Sequence, residues 1–155
     1  MALTKLSHAS MPTGSVLQVV THYWNTEHNS GTLSDADITG SSFNFTPKFS
    51  NSKLVINCCV SLSYYKGTSA VDIGAMYYVR YGSTDIMKPT GNYQNYIDNS
   101  QNQATLQNLT VEISPSSTSE ATIKLRGRPY STDDYIRFNE GGKFYSTIQA
   151  MEIAG

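Results

Sequence analysis

Along most of this chain apolar and polar residues alternate with a period of two, the spacing that sends successive side chains to opposite faces of a β-strand. The clearest run is 53–65, which puts Leu54, Ile56, Cys58, Val60 and Leu62 on one face and Asn57, Ser61 and Ser63 on the other. Residues 16–23 alternate well enough for a strand, and 41–46 places Phe43 and Phe45 on one face. Further strands are predicted at 74–81, 105–113, 121–127, 135–139 and 144–153, with no helical stretch between them.

Turn residues punctuate this series: Ser50, Asn51 and Ser52; Lys66, Gly67 and Thr68; Gly82, Ser83 and Thr84; Pro89 to Asn92; Ser114 to Ser117; Glu140, Gly141 and Gly142. Strands of this length at this spacing predict an all-β fold, an antiparallel two-sheet sandwich of jelly-roll type, with a closed barrel as the alternative. Residues 1–13 have little apolar pattern and close on Pro12 and Gly14, so they are expected to form an N-terminal docking arm outside a sandwich domain at 14–155. Leu3, Leu6 and Met11 are its anchoring side chains. Residues 92–103, rich in Asn, Gln and Tyr, read as a long loop between the two halves.

A chain of 155 residues suits one domain and can bury roughly 70% of the surface that its unfolded form exposes. Only 15% of the residues are charged, against roughly 25% in an average domain, so the surface is polar but largely uncharged. A net charge of −1 with scattered Lys and Arg offers no field for a phosphate backbone, which argues against nucleic acid as partner. No apolar run reaches the roughly 18 residues of a membrane-spanning helix, and the first eight residues lack the apolar centre of a secretion signal. Synthesis in a cytoplasm is expected, without membrane insertion. Cys58 and Cys59 are neighbours within a strand and so face opposite ways, which predicts two packed thiols rather than a disulfide or a metal pair.

Several blocks occur together and in order: residues 14–20 (GSVLQVV), 38–40 (ITG), 45–48 (FTPK), 52–56 (SKLVI) and 146–153 (STIQAMEI). Over most of 12–154 this set resembles a small β-domain of bacteriophage virion proteins, abundant in cyanobacterial phages and typically placed at the ends of tail fibres. The resemblance implies a trimeric β-sandwich on a virion surface, with no catalytic motif and no cofactor. With about a dozen residues ahead of Gly14, a short tail fibre or tail-tip adhesin contacting the host surface is expected. The alternative is a trimeric head-decoration (cement) protein that stabilises the capsid. Its neighbours would be tail proteins in the first case and the major capsid protein in the second. Composition alone also admits a free carbohydrate-binding lectin.

The reactive residue types do not assemble into a recognisable site. His22, Glu27 and His28 lie close together but without the spacing of a helical zinc motif. No Gly-x-Ser-x-Gly elbow is present. Asp133, Asp134 and Glu140 sit in a turn-rich stretch, where a glycosidase-like pair has no sequence support. The stretch 126–130 (RGRPY) lacks the strand, glycine turn and helix of a phosphate loop and reads as a strand end with exposed arginines. A non-enzymatic protein is therefore expected, with no metal.

Eleven tyrosines carry more weight, because adjacent tyrosines on a strand cannot all enter one core. Core edge, subunit interface and sugar-stacking surface compete for them. Tyr93 and Tyr96, with Asn92 and Asn95, are the candidate glycan-binding set, since amides both donate to and accept from hydroxyls. Tyr77, Tyr78 and Met151 are the candidates for the homotrimer interface.

Overall fold

The computed structural model describes residues 11–66, 73–87, 95–97, 103–131 and 134–155. Twelve strands lie in them: β1 (Val16–Trp24), β2 (His28–Ser30), β3 (Ala36–Asp37), β4 (Phe43–Phe45), β5 (Lys53–Tyr65), β6 (Ile73–Tyr81), β7 (Thr84–Ile86), β8 (Asn95–Ile97), β9 (Gln103–Ile113), β10 (Ala121–Pro129), β11 (Tyr135–Phe138) and β12 (Ser146–Ile153). They form two antiparallel six-stranded sheets. Across its middle the first sheet runs β1-β12-β5-β9, with β11 and β2 continuing past the end of β12. The second runs β4-β10-β6-β7, with β3 beside β4 on the edge of β10 and β8 beside β7 on the edge of β6. Along these twelve strands the chain switches sheet six times, and its first and last long strands are neighbours, as in a jelly roll.

All the predicted strands are present. The short strands β2, β3, β7 and β8 are additional, and β8 falls within residues 92–103, which were expected to be loop. Three or fewer residues cannot display a period; these strands exist because a longer neighbour offers an open edge.

The alternation of β5 sets the core. Leu54, Ile56, Cys58, Val60, Leu62 and Tyr64 point inward, fully or almost fully buried. They meet Ala75, Tyr77 and Val79 of β6 and Ile123 and Leu125 of β10, with Ile148 and Ala150 of β12, Ile136 and Phe138 of β11, and Phe45 closing the layer. β10 comes close to β6 at Gly127, where a Cβ atom would lie 2.8 Å from the Met76 carbonyl oxygen. Only glycine allows that approach. Cys58 is buried in this layer and Cys59 lies on the opposite face of β5; both are free thiols. Burial, with the neighbouring Cys59, pushes the Cys58 thiol up to about 12.

Two polar clusters fasten the ends of the sandwich. At one end Glu152 is fully buried, in phase with Ile148 and Ala150. Its carboxylate accepts from the Lys48 N–H at 2.9 Å, the Phe49 N–H at 3.1 Å, the Ser52 hydroxyl at 2.7 Å and the Gln18 amide at 2.6 Å. One side chain thereby ties β1, β12 and the segment between β4 and β5. At the other end Asn139, in the left-handed region at φ 51°, donates to the Trp24 carbonyl at 3.1 Å and accepts from the Ser146 hydroxyl at 2.5 Å. Ser146 in turn accepts from the Ser61 N–H at 3.0 Å.

Burial pushes the Glu152 carboxyl up, but the four donors outweigh it and hold the group below its ordinary value of 4.5. A carboxyl whose folded pKa is depressed stabilises the fold above the unfolded pKa, and that contribution is lost as pH falls through the folded one. Glu152→Ala should therefore cost about 3 kcal/mol in urea unfolding at neutral pH, since it orphans several buried donors. The gap between variant and parent should shrink as the pH is lowered below 4.5. A gap that stays constant down to pH 3 contradicts this role.

Candidate functional site

The two outer faces of the sandwich differ in chemistry. On the β10-β6 side the face is filled by ion pairs: Arg128 with Asp35 at 3.2 Å, Arg126 with Asp37 at 2.9 Å, Lys124 with Asp37 at 2.5 Å, and Arg80 with Asp85 at 2.6 Å. Arg126 also donates to the Tyr78 hydroxyl at 3.3 Å and to the Asp35 carbonyl at 2.7 Å. Burial raises the Asp37 carboxyl, and Lys124 and Arg126 more than reverse it, holding the group below its ordinary value. The Tyr78 hydroxyl is pushed up by burial and by its hydrogen bond to Asp35. The arginines of 126–130, expected to be exposed at a strand end, are instead enclosed within β10 by these carboxylates. Partners on neighbouring strands, invisible to local sequence, enclose them.

On the other sheet the outward positions of the four long strands are nearly free of charge. Val16, Val19, Thr21 and Tyr23 of β1 stand beside Ile153, Met151, Gln149 and Thr147 of β12, which stand beside Lys53, Val55, Asn57 and Cys59 of β5. Beyond them Glu112, Thr110, Asn108 and Leu106 of β9 face Val55, Asn57, Cys59 and Ser61. The charges in this array are Lys53 and Glu112, paired with each other at 2.9 Å. Hydroxyls and amides form a band across the middle, with Gln149 donating to Thr21 at 3.2 Å and Thr110 to Asn57 at 2.8 Å. A shallow depression of about 410 Å³ opens there, with Tyr23, Cys59 and Asn108 at its end.

Past β12 the same face ends in an aromatic cluster. Tyr65 and Tyr135 stack with ring centroids 4.6 Å apart, and the Arg137 guanidinium sits 4.7 Å from the first ring and 5.3 Å from the second. Glu140 accepts from Tyr65 and, at 3.2 Å, from Arg137, while Glu27 accepts from the Gly141 N–H at 2.5 Å. A cleft of about 410 Å³ opens beside them, lined also by Lys143 and Phe144. Both carboxylates are committed to Arg137 or to the backbone, which is the chemistry of a lock between β5, β11 and the turn at 140–142.

Of the interface candidates, Met151 stands on the uncharged face. Tyr77 and Tyr78 are 3% and 0% exposed, one in the core and the other under the ion-paired layer, so neither ring is presented to a neighbour. The adjacent-tyrosine argument correctly sent them to opposite faces but could not see that β6 is covered on both. Of the glycan candidates, Asn95 and Tyr96 contribute backbone to β8, and Asn92 and Tyr93 lie outside the described residues. Leu3 and Leu6 of the arm also lie outside them, and Met11 is half-buried. Asp134 is buried, and Asp133 lies outside the described residues. His22 stacks on Trp24 and Phe43 with its Nε2 2.7 Å from the Gly40 carbonyl. His28 Nδ1 accepts from the Thr39 N–H at 3.2 Å, which needs a neutral ring, and burial lowers its pKa accordingly. Among the described residues no group of three or more metal-ligating side chains comes together.

No family model and no curated protein matches the chain. Among solved structures, that of infectious bursal disease virus, Gx strain, aligns with 100% of this chain and 43% of its own at 16% identity and a TM-score of 0.41. The VP2 subviral particle of infectious bursal disease virus aligns with 91% and 39% at 15% identity and a TM-score of 0.40. The chain thus spans about two fifths of the length of these neighbours. Superposition this loose transfers no role.

The lock at Tyr65 and Arg137 is open to a double-mutant cycle. Tyr65→Leu and Arg137→Met should show a coupling of about 1 kcal/mol in thermal or urea unfolding. Strict additivity would mean that the stacked geometry stabilises nothing.

Proposed function

We propose that this chain is a non-enzymatic structural protein of a virus particle, of the bacteriophage tail-fibre type, that works as a homotrimer and acts by contact. The observation that carries this reading is the contrast between the two outer faces: one saturated by ion pairs, the other broad, nearly uncharged and studded with apolar side chains. Monomeric proteins rarely leave such a face open. The resemblance of the ordered sequence blocks to a phage virion domain supports the particle, and a short tail fibre or tail-tip adhesin is the role in which that domain most often occurs. In this role residues 92–96, with Tyr93 and Tyr96 as stacking rings, meet a host-surface glycan. The weak contacts of each subunit are multiplied by symmetry into avidity.

Sedimentation and light scattering of the purified protein should give three times the chain mass. Labelling with antibody on imaged particles should place it at the tail tip, and glycan-array binding should disappear in the Tyr93→Ala, Tyr96→Ala double variant. Signal on the capsid shell instead would replace the adhesin with the decoration role; a monomer both free and on the particle would overturn the reading altogether.

A further inference from the structure

We infer that the uncharged face of the β1-β12-β5-β9 sheet is where a second copy of this chain docks, so that copies pack sheet to sheet around the symmetry axis. This rests on the reading of the chain as a homo-oligomer, and adds which surface closes the oligomer and which side chains fill it.

The distribution of exposed apolar side chains is the first argument. Val16, Val19, Tyr23 and Leu106 are 55%, 48%, 65% and 64% exposed, and all four stand on this face. Val16 and Val19 stand beside the partly exposed Val55, Met151 and Ile153, while Tyr23 and Leu106 stand beyond the uncharged polar band. Val20, by contrast, packs against the core, so the consecutive valines of β1 serve two different surfaces. A strand that spends apolar residues on both faces expects cover on both.

Charge is the second argument, and it selects the occupant. A foreign partner of marked charge would be met by charge of the opposite sign, whereas this face offers one lysine and one glutamate already bridged to each other. In a three-fold arrangement each copy turns this face toward the axis and meets its two neighbours along the two sides of it, so every contact joins surfaces with the same balanced pair and the same uncharged band, without like-charge cost. The side-chain amides of Gln149 and Asn57 each make one hydrogen bond within the sheet and keep further donors and acceptors for a copy. The opposite face of the sandwich is unsuited, because its arginines and aspartates would have to be stripped of water or of each other.

Size is the third argument. Four strands about 4.8 Å apart, over about eight residues of about 3.4 Å each, span roughly 500 Å² of plane. With side-chain relief the whole face, shared between two neighbours, approaches the roughly 800 Å² that one protein commits to a standard stable interface.

The test places a charge on either side strand of the face and, separately, far from it. Val19→Lys and Thr110→Arg change outward-facing side chains, so each protomer should keep its fold, checked by circular dichroism and melting. Each should weaken assembly by about 100-fold in concentration-dependent sedimentation, since a charge there has no partner in the closed interface. Ser83→Lys, in the exposed turn between β6 and β7, adds the same charge and should assemble like the parent. If the parent assembles and both face variants assemble as tightly, this surface is not the interface, and the homo-oligomer reading survives without it. If the parent itself is a monomer at all concentrations and on the particle, both fall.

Discussion

The constraint on which the rest of this structure depends is the unbroken two-residue period of β5. Thirteen residues without a bulge, paired along one edge with β9 and along the other with β12 and then β11, fix every neighbour's facing. A slip of one residue would turn Leu54, Ile56, Val60 and Leu62 outward and bring Lys53, Asn57 and Ser63 into the core. Because β5 holds register, the same strand that fills the core also lays out the uncharged outer face.

The ends of the sandwich need separate fastening, since sheet pairing alone does not position the connecting segments. Glu152 does this at one end by collecting backbone N–H groups that have no strand to pair with. Asn139 and Ser146 do it at the other by linking β1, β5 and the turn before β12. Buried polar groups of this kind specify one arrangement only because their hydrogen bonds are satisfied together. Between these fastened ends one broad face carries ion pairs and the other is largely uncharged.

The long strands were legible in the sequence because each carries enough alternating residues to display its period, and the opposed facing of Cys58 and Cys59 followed directly. What was hidden is what depends on neighbours distant in sequence. The short strands β2, β3, β7 and β8 are defined by the edges they join. The enclosure of Arg126 and Arg128 needs aspartates some ninety residues away in the chain, as at Asp35 and Asp37. Tyr77 and Tyr78 looked like surface rings, since adjacent tyrosines ordinarily cannot share a core, but β6 is a strand covered on both sides. Two signals were present and unread: Glu152 stands in phase with the apolar positions of β12, which marks a buried carboxylate, and Val19 stands out of phase with Val20, which marks a second surface.

In the proposed assembly the ion-paired face of the sandwich is turned to solvent and the uncharged face to copies of the chain. Cys59 stands on the uncharged face beside Thr147 and Asn108, with the buried Cys58 next to it in sequence as an internal reference. The most direct measurement is the rate at which a thiol reagent modifies Cys59 in assembled protein compared with protein diluted to single subunits. The account predicts that Cys59 is protected in the assembly and reacts on dilution, while Cys58 stays unreactive in both. Full reactivity of Cys59 in the intact assembly would contradict it.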